Sequence, residues 1–157
     1  MNPAHEQGPL SAPSAARPVH LQPSLLGLVI VGGTLGTAAR QALSLSVPTL
    51  AVFPLTIFLV NIVGSFTLGL LLEGLVRAGA NTDRGRTLRL FAGTGFLGGF
   101  TTYSALTTET ELLLRSGNVG IGILYAVGTL IFGLGAAALG VVVSARLRSR
   151  STPAVRA

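Results

Sequence analysis

The sequence predicts an all-α membrane protein with four transmembrane helices, the third of which is broken in mid-membrane. Hydrophobic residues make up 49% of the 157 residues and charged residues only 10%, whereas soluble domains contain about 25% charged residues. The mean hydropathy is +0.68. Four apolar blocks follow one another along the chain, and each reaches the roughly 20 residues that a helix needs to cross a bilayer.

The chain divides into two tails and one membrane domain. Residues 1–23 are rich in Pro, Ala, Ser and Gln and have no apolar periodicity, so we expect a disordered N-terminal tail. Residues 24–147 form the predicted four-span domain, and residues 148–157 form a basic C-terminal tail. The predicted spans cover about residues 25–45, 54–76, 88–114 and 119–145.

The eleven basic residues are all arginines and are distributed unevenly between the two ends of the spans. Four spans place both termini and the second connection on one side. Arg40 and Arg115 fall on the other side, and the remaining nine arginines on the first. Because positive residues accumulate in cytoplasmic connections, we expect a multi-pass protein of the plasma membrane, embedded in the lipid bilayer, with both termini in the cytoplasm. Arginines placed in this way predict no nucleic-acid partner.

Residue types that carry enzyme chemistry are scarce. The sequence contains no cysteine, which excludes a disulfide framework and a thiolate metal site. Both histidines, His5 and His20, lie in the N-terminal tail. The spans contain no buried carboxylate pair and no Ser/His/Asp combination. We therefore expect that the protein is not an enzyme.

Small and polar residues form motifs in the first two spans. Gly32 and Gly36 have the spacing that lets another helix approach closely. Arg40, near the end of that span, either extends to the membrane surface or holds anions at a pore mouth. Asn61 and Ser65 share one face of the second span. A buried amide must find a partner or line a hydrated path, so both an interhelical hydrogen bond and a pore lining are open.

The third span contains the sequence GTGFLGGFTTYS at residues 93–104. Four glycines within seven residues, followed by two threonines, disfavour a continuous helix. A break inside the membrane frees backbone carbonyls and amides, which are then available to an ion. A closely packed glycine-rich helix is the alternative.

The last span carries a thin polar stripe. Tyr125 and Thr129 lie one helical turn apart and place two hydroxyl groups on one face. Hydroxyl groups can donate hydrogen bonds to an anion. Thr129 can also donate to its own helix instead.

These motifs resemble those of the Fluc (CrcB) fluoride channels. The similarity consists of GGTLGTAAR at residues 32–40, VNIVGSF at 60–66 and GFLGGFTTYS at 95–104, and it extends over about residues 25–145. The resemblance implies a passive fluoride channel through which cytoplasmic fluoride leaves the cell, which reduces fluoride toxicity. It also implies an antiparallel dimer of the dual-topology type with two narrow pores.

The resemblance further implies a structural sodium ion, which is not transported and lies at the dimer centre. Its ligands would be the backbone carbonyls of Gly98 and Thr101. The amide of Asn61 would donate to fluoride in the pore, and Arg40 would lie in a vestibule. The other pore positions implied by the resemblance are Ser65, Tyr103, Ser104, Leu106, Tyr125 and Thr129.

Two parts of the chain differ from the family pattern, and these differences bear on the dimer. The family usually has phenylalanine where this chain has Tyr103 and Leu106, and Leu106 offers no aromatic edge to an anion. The family also tends to have Gly-Thr where this chain has residues 56–57. A chain that inserts in both orientations should have little charge bias, yet the arginines here are strongly biased. In the family that this chain resembles, some organisms carry two paralogs that insert oppositely and pair. Our hypothesis is that this chain is one half of such a heterodimer, and a homodimer is the alternative.

Two other functions compete with the channel. A proton-coupled small-anion exporter would need a titratable carboxylate inside the membrane, and the positions of Glu73 and Glu109 near span ends disfavour it. A non-conducting assembly subunit of a heterodimeric channel would tolerate substitutions at its pore positions.

Overall fold

The computed structural model describes residues 22–47, 52–77 and 82–149, with no side-chain description for the last two of these residues. The predicted N-terminal tail, apart from its final two residues, and residues 150–157 of the C-terminal tail lie outside these ranges. Every regular element within them is helical. The elements are α1 Pro23–Ser46, α2 Leu55–Arg77, α3 Asp83–Leu88, a π-helical segment Arg89–Leu97, α4 Gly98–Phe100, α5 Tyr103–Arg115 and α6 Val119–Ser149.

Three of the described helices are long and apolar enough to cross a membrane, namely α1, α2 and the Val119–Leu147 part of α6. They match the first, second and fourth predicted spans closely. The third predicted span is helical too, but it is divided among α3, the π-helical segment, α4 and α5. Pro23 opens α1, where the missing N–H of proline removes no helical hydrogen bond. Gly117, with φ of 81°, makes the turn between α5 and α6.

Close backbone contacts join the first and third hydrophobic blocks. Gly32 and Gly36 are buried on α1. A Cβ atom on Gly32 would meet the carbonyl oxygen of Phe91, and a Cβ on Gly36 would meet that of Phe96. The predicted small-residue contact is therefore confirmed, and its partner is the π-helical segment.

A second set of small residues joins α2 to α6. A Cβ on Gly69 would collide with the backbone of Ala137, and one on Gly140 with the backbone of Phe66. Near the ends of these helices, a Cβ on Gly74 would lie 3.3 Å from Ser144 Oγ. The carboxyl-terminal ends of α2 and α6 therefore lie at the same end of the molecule.

The predicted break in the third block is confirmed, and within residues 93–104 it lies at the threonines and not at the glycines. Residues 93–99 are helical, and the chain leaves the helix at Thr101 and Thr102, whose ψ angles are 155° and 126°. The glycines remain helical because their missing side chains allow close contact with α1. Gly95, for example, lies where a Cβ would be 3.0 Å from the Val29 carbonyl oxygen.

A cluster of apolar residues closes one end of the bundle. Ile57, Leu106, Leu113 and Tyr125 are buried together. Phe53, which precedes α2, meets the Tyr125 ring edge-on with a centroid distance of 5.4 Å. Edge-on pairs of this kind are a favourable arrangement of aromatic quadrupoles, so Phe53, two residues before α2, is packed onto α6.

Replacing Gly36 by alanine is expected to destabilise the protein. The added Cβ would lie 2.8 Å from the Phe96 carbonyl carbon and 2.9 Å from the Phe100 nitrogen, and backbone atoms in packed helices move little. Overpacking of this kind costs about 1–3 kcal/mol. The control is Gly27→Ala on the same helix, where the added Cβ would have no atom within 4 Å apart from its chain neighbours and the backbone of its own helix. Thermal unfolding in detergent measures the difference, and equal melting temperatures would contradict the described packing.

Candidate functional site

Asn61 is paired with the backbone of Thr102 at the helix break. The Thr102 N–H donates to Asn61 Oδ1 at 2.8 Å, and Asn61 Nδ2 donates to the Thr102 carbonyl oxygen at 3.0 Å. Asn61 is only 8% exposed. An unpaired backbone group inside a membrane costs several kcal/mol, and the side-chain amide matches both groups of Thr102 at once. The interhelical hydrogen bond that the sequence left open is therefore present, with backbone as its partner.

Thr102 is also the N-cap of α5, a role that the sequence analysis missed. Its hydroxyl oxygen accepts from the Ala105 N–H at 3.1 Å and lies 3.1 Å from the Ser104 hydroxyl. Threonine and serine are favoured N-cap residues because their oxygen satisfies a free amide of the first turn. That preference was the signal available in the sequence.

The hydrogen bonds from the Thr102 and Ala105 amides to side chains leave two backbone carbonyls without their usual helical donors. In a continuous α-helix the amide of residue i donates to the carbonyl of residue i−4. The amides of Thr102 and Ala105 would therefore serve Gly98 and Thr101, but they donate to the side chains of Asn61 and Thr102 instead. Gly98 and Thr101 thus lose their usual helical partners. Carbonyl oxygens are ligands that hard cations accept.

The neighbouring carbonyl of Gly99 is occupied by side chains of α1. Thr37 Oγ1 donates to it at 3.3 Å, and Arg40 Nε at 3.4 Å. Arg40 is half-buried and reaches the broken segment rather than the cavity described next. No group of three His, Cys, Asp or Glu side chains able to hold a metal occurs among the residues that the structure covers.

A cavity of about 390 Å³ lies beside the break, between α2, the extended residues and α6. No charged side chain lines it. The predicted positions that line it are Asn61, Ser65, Thr101, Tyr103, Leu106 and Thr129. The structure thus brings most of the predicted pore residues together around one uncharged space.

Other predicted positions lie outside this cavity. Ser104 contacts Thr102, and Gly98 does not belong to the lining. Tyr125 is fully buried, one turn beyond Thr129, and its hydroxyl has no hydrogen-bond partner in the described structure. Thr129 donates to the Tyr125 carbonyl at 2.6 Å, so its hydroxyl hydrogen is used within its own helix.

The two residues that stand where the resemblance implies phenylalanine differ in their exposure to solvent. Tyr103 is 74% exposed and borders the cavity, whereas Leu106 is 5% exposed and packs into the cluster with Tyr125. Leu106 therefore borders the cavity and also belongs to the buried cluster that contains Tyr125. Its apolar side chain offers no hydrogen bond to a solute.

The carboxylates of the described helices lie away from the cavity. Glu73 pairs with Arg77, and Glu111 pairs with Arg115 at 2.6 Å, both with a spacing of four residues. Glu109 is half-buried on α5 but does not line the cavity. None of these three carboxylates belongs to the wall of the candidate site.

Comparisons with known proteins cover most of this chain. Residues 27–141 match the family described as CrcB-like protein, Camphor Resistance (CrcB). A protein of Leifsonia xyli subsp. xyli named fluoride-specific ion channel FluC 2 is 50% identical over 133 residues, covering 85% of this chain and 92% of that protein. A fluoride-specific ion channel FluC of Thermus thermophilus is 45% identical over 115 residues, covering 72% and 89%. One of Cutibacterium acnes, FluC 1, is 47% identical over 105 residues, covering 66% and 73%.

The matched residues run from α1 to α6 and include Asn61, the break and the cavity. Together with three apolar helices, they make this a multi-pass membrane protein. Its relatives are named ion channels, which agrees with the expectation that it is not an enzyme. The chain therefore belongs to the CrcB family of fluoride-specific ion channels.

Proposed function

We propose that this chain is a subunit of a passive fluoride channel that lets cytoplasmic fluoride leave the cell and so reduces its toxicity. The observation that carries the proposal is the uncharged cavity beside the helix break, with hydrogen-bond donors in its wall. The relatives named fluoride-specific ion channels support fluoride as the anion.

The cavity wall suits a small anion that must exchange water for protein donors. The amide of Asn61 has two N–H groups, and only one of them is used on the Thr102 carbonyl. Ser65 Oγ lines the cavity and makes no hydrogen bond with the residues described. The ring of Tyr103 adds a positive edge. Neutral donors bind an anion weakly enough for it to leave again, which conduction requires.

The wall does not suit proton coupling. An exporter driven by protons needs a titratable group that faces the transported ion. The lining of this cavity contains no carboxylate, Glu73 is engaged by Arg77, and Glu109 lies outside it. The geometry therefore favours passive movement down the fluoride gradient.

A structural sodium ion is proposed at the carbonyls of Gly98 and Thr101. The fit rests on their chemistry, since both are neutral oxygen ligands that have lost their helical donors. Bound there, sodium would supply a fixed positive charge that satisfies these carbonyls. One chain offers only two of these carbonyls, fewer oxygen ligands than a hard cation takes. An antiparallel second subunit would supply the equivalent pair and bring the number to four, which supports a dimer.

The partner subunit is proposed to be an oppositely oriented paralog. The carboxyl-terminal ends of α2 and α6 lie at the same end of the molecule, so Arg77 and Arg146 lie there as well. α3, which carries Arg84 and Arg86, begins at this end. A charge bias of this kind favours one orientation, with this end and both termini in the cytoplasm and the chain in the plasma membrane. An antiparallel dimer then needs a second chain of opposite bias.

The variants Asn61→Ala and Ser65→Ala are expected to distinguish a loss of stability from a loss of fluoride conduction. Both should lower fluoride efflux from liposomes, measured with a fluoride electrode. Asn61→Ala should also lower the melting temperature, because each unsatisfied group of Thr102 costs about 1–3 kcal/mol. Ser65→Ala should leave it unchanged, because its hydroxyl makes no hydrogen bond in the described structure.

The control for this pair is Ser46→Ala, where the hydroxyl donates to the Ala42 carbonyl of its own helix at 2.7 Å. It should leave both readouts at the wild-type value. Unchanged efflux in Asn61→Ala and Ser65→Ala would favour the non-conducting assembly subunit.

Single-cysteine labelling is expected to reveal one orientation. The chain has no cysteine, so Ser116→Cys, in the exposed α5–α6 turn, and Thr87→Cys, exposed on α3, report opposite sides. A membrane-impermeant maleimide added to intact cells should label Ser116→Cys fully and Thr87→Cys hardly at all. Half labelling at both positions would indicate insertion in both directions and contradict the heterodimer.

Neutralising the carboxylates is expected to leave transport intact. The double variant Glu73→Gln, Glu109→Gln loses one exposed ion pair, which contributes little to stability. Its fluoride efflux should equal that of the wild type, and a pH gradient alone should drive no fluoride movement. Abolished efflux in this variant would support the proton-coupled exporter.

A further inference from the structure

Two polar residues of α1, Thr37 and Arg40, contact the broken segment at one backbone group, the carbonyl of Gly99. Gly99 stands one residue after Gly98 and two before Thr101, and its carbonyl would serve the Tyr103 amide in a continuous α-helix. The chain is extended at Thr101 and Thr102 instead. The Gly99 carbonyl accepts from Thr37 Oγ1 and Arg40 Nε.

The contact is possible only because α1 lies very close. A Cβ on Gly99 would meet the carbonyl oxygen of Gly33 and lie 3.0 Å from Thr37 Oγ1. Gly33, Thr37 and Arg40 are spaced by four and three residues, so they share one helix face. The GGTLGTAAR sequence therefore places two donors on one carbonyl next to the break.

We propose that Thr37 and Arg40 are positioning residues of the cation site. They hold the Gly99 carbonyl against α1, so that the Gly98 and Thr101 carbonyls are the ones available to sodium. This inference rests on the proposed sodium site. Neither side chain lines the cavity, so the proposed role does not require contact with fluoride there.

The two hydrogen bonds are long, at 3.3 and 3.4 Å, compared with a usual length of about 2.9–3.0 Å. They are therefore expected to adjust the cation site rather than to hold the fold together. Arg40 adds a complication because its charge also repels a cation nearby. Thr37→Val, which removes a donor without changing charge, is the cleaner variant, and Arg40→Lys keeps the charge.

The experiment measures thermal unfolding of the assembled full-length protein at increasing sodium chloride, with choline chloride keeping the ionic strength constant. The wild type should be stabilised by sodium. Thr37→Val should need roughly fivefold more sodium for half of the stabilisation, the effect of one hydrogen bond, and Arg40→Lys should shift in the same direction. Thr34→Val is the matched control, because the Thr34 hydroxyl donates to the Ile30 carbonyl of its own helix at 2.9 Å.

The outcomes separate the two proposals. A wild type that sodium does not stabilise overturns the sodium site and the inference with it. A sodium response that is equal in the wild type, Thr37→Val and Arg40→Lys overturns the positioning role alone. Lower melting temperatures at every sodium concentration with an unchanged midpoint do the same, since they indicate packing only. If Thr37→Val fails to fold, Thr37→Ser, which keeps the donor, should retain the wild-type midpoint, and a shifted midpoint there overturns the role.

Discussion

A helix that stops inside a membrane leaves backbone groups that no water can satisfy, and this constraint governs the structure around Thr102. Asn61 supplies both a donor and an acceptor to that one residue. Alanine or leucine at Asn61 would leave two polar groups unpaired, and a carboxylate would bring a charge into an apolar bundle. The side-chain amide is neutral and complementary. Because Asn61 must reach across from α2, the pairing also fixes where α2 lies relative to the break, and so it forms the wall of the cavity.

Glycines make this arrangement possible by removing the side chains that would hold the helices apart. On α1 they bring Thr37 and Arg40 to the Gly99 carbonyl, and on α2 Gly64 faces Thr101, where an added Cβ would collide with its methyl group. The π-helical segment contributes an extra residue per turn, which changes the faces that the following residues present. Packing and the hydrogen bonds at the break are thus two consequences of the same close approach.

The sequence predicted the helical blocks well because membrane spans are defined by a property that each residue carries alone, its hydrophobicity. It also grouped Asn61 with Ser65, since a shared helix face follows from spacing. It placed the break within residues 93–104 but could not single out Thr101 and Thr102, because contacts with α1 that only the tertiary structure reveals keep the glycines helical. Arg40 and Thr129 were ambiguous for the same reason. Which acceptor a long or hydroxyl-bearing side chain finds depends on its neighbours, and here these were the Gly99 carbonyl and the helix's own backbone.

The distribution of charge around the cavity follows from the acceptors that these side chains find. Arg40, the half-buried arginine nearest the break, donates to a backbone carbonyl and so does not face the space lined by Asn61 and Ser65. A cation in that wall would hold fluoride strongly, and an anion would repel it, whereas neutral donors permit both entry and release. Leu106 then sets a limit on the polar surface, since it borders the cavity and its buried side chain belongs to the apolar cluster that contains Tyr125. Because Tyr125 is fully buried and does not line the cavity, its hydroxyl adds nothing to the wall, and the donors that this chain offers a fluoride ion there are those near Asn61 and Ser65.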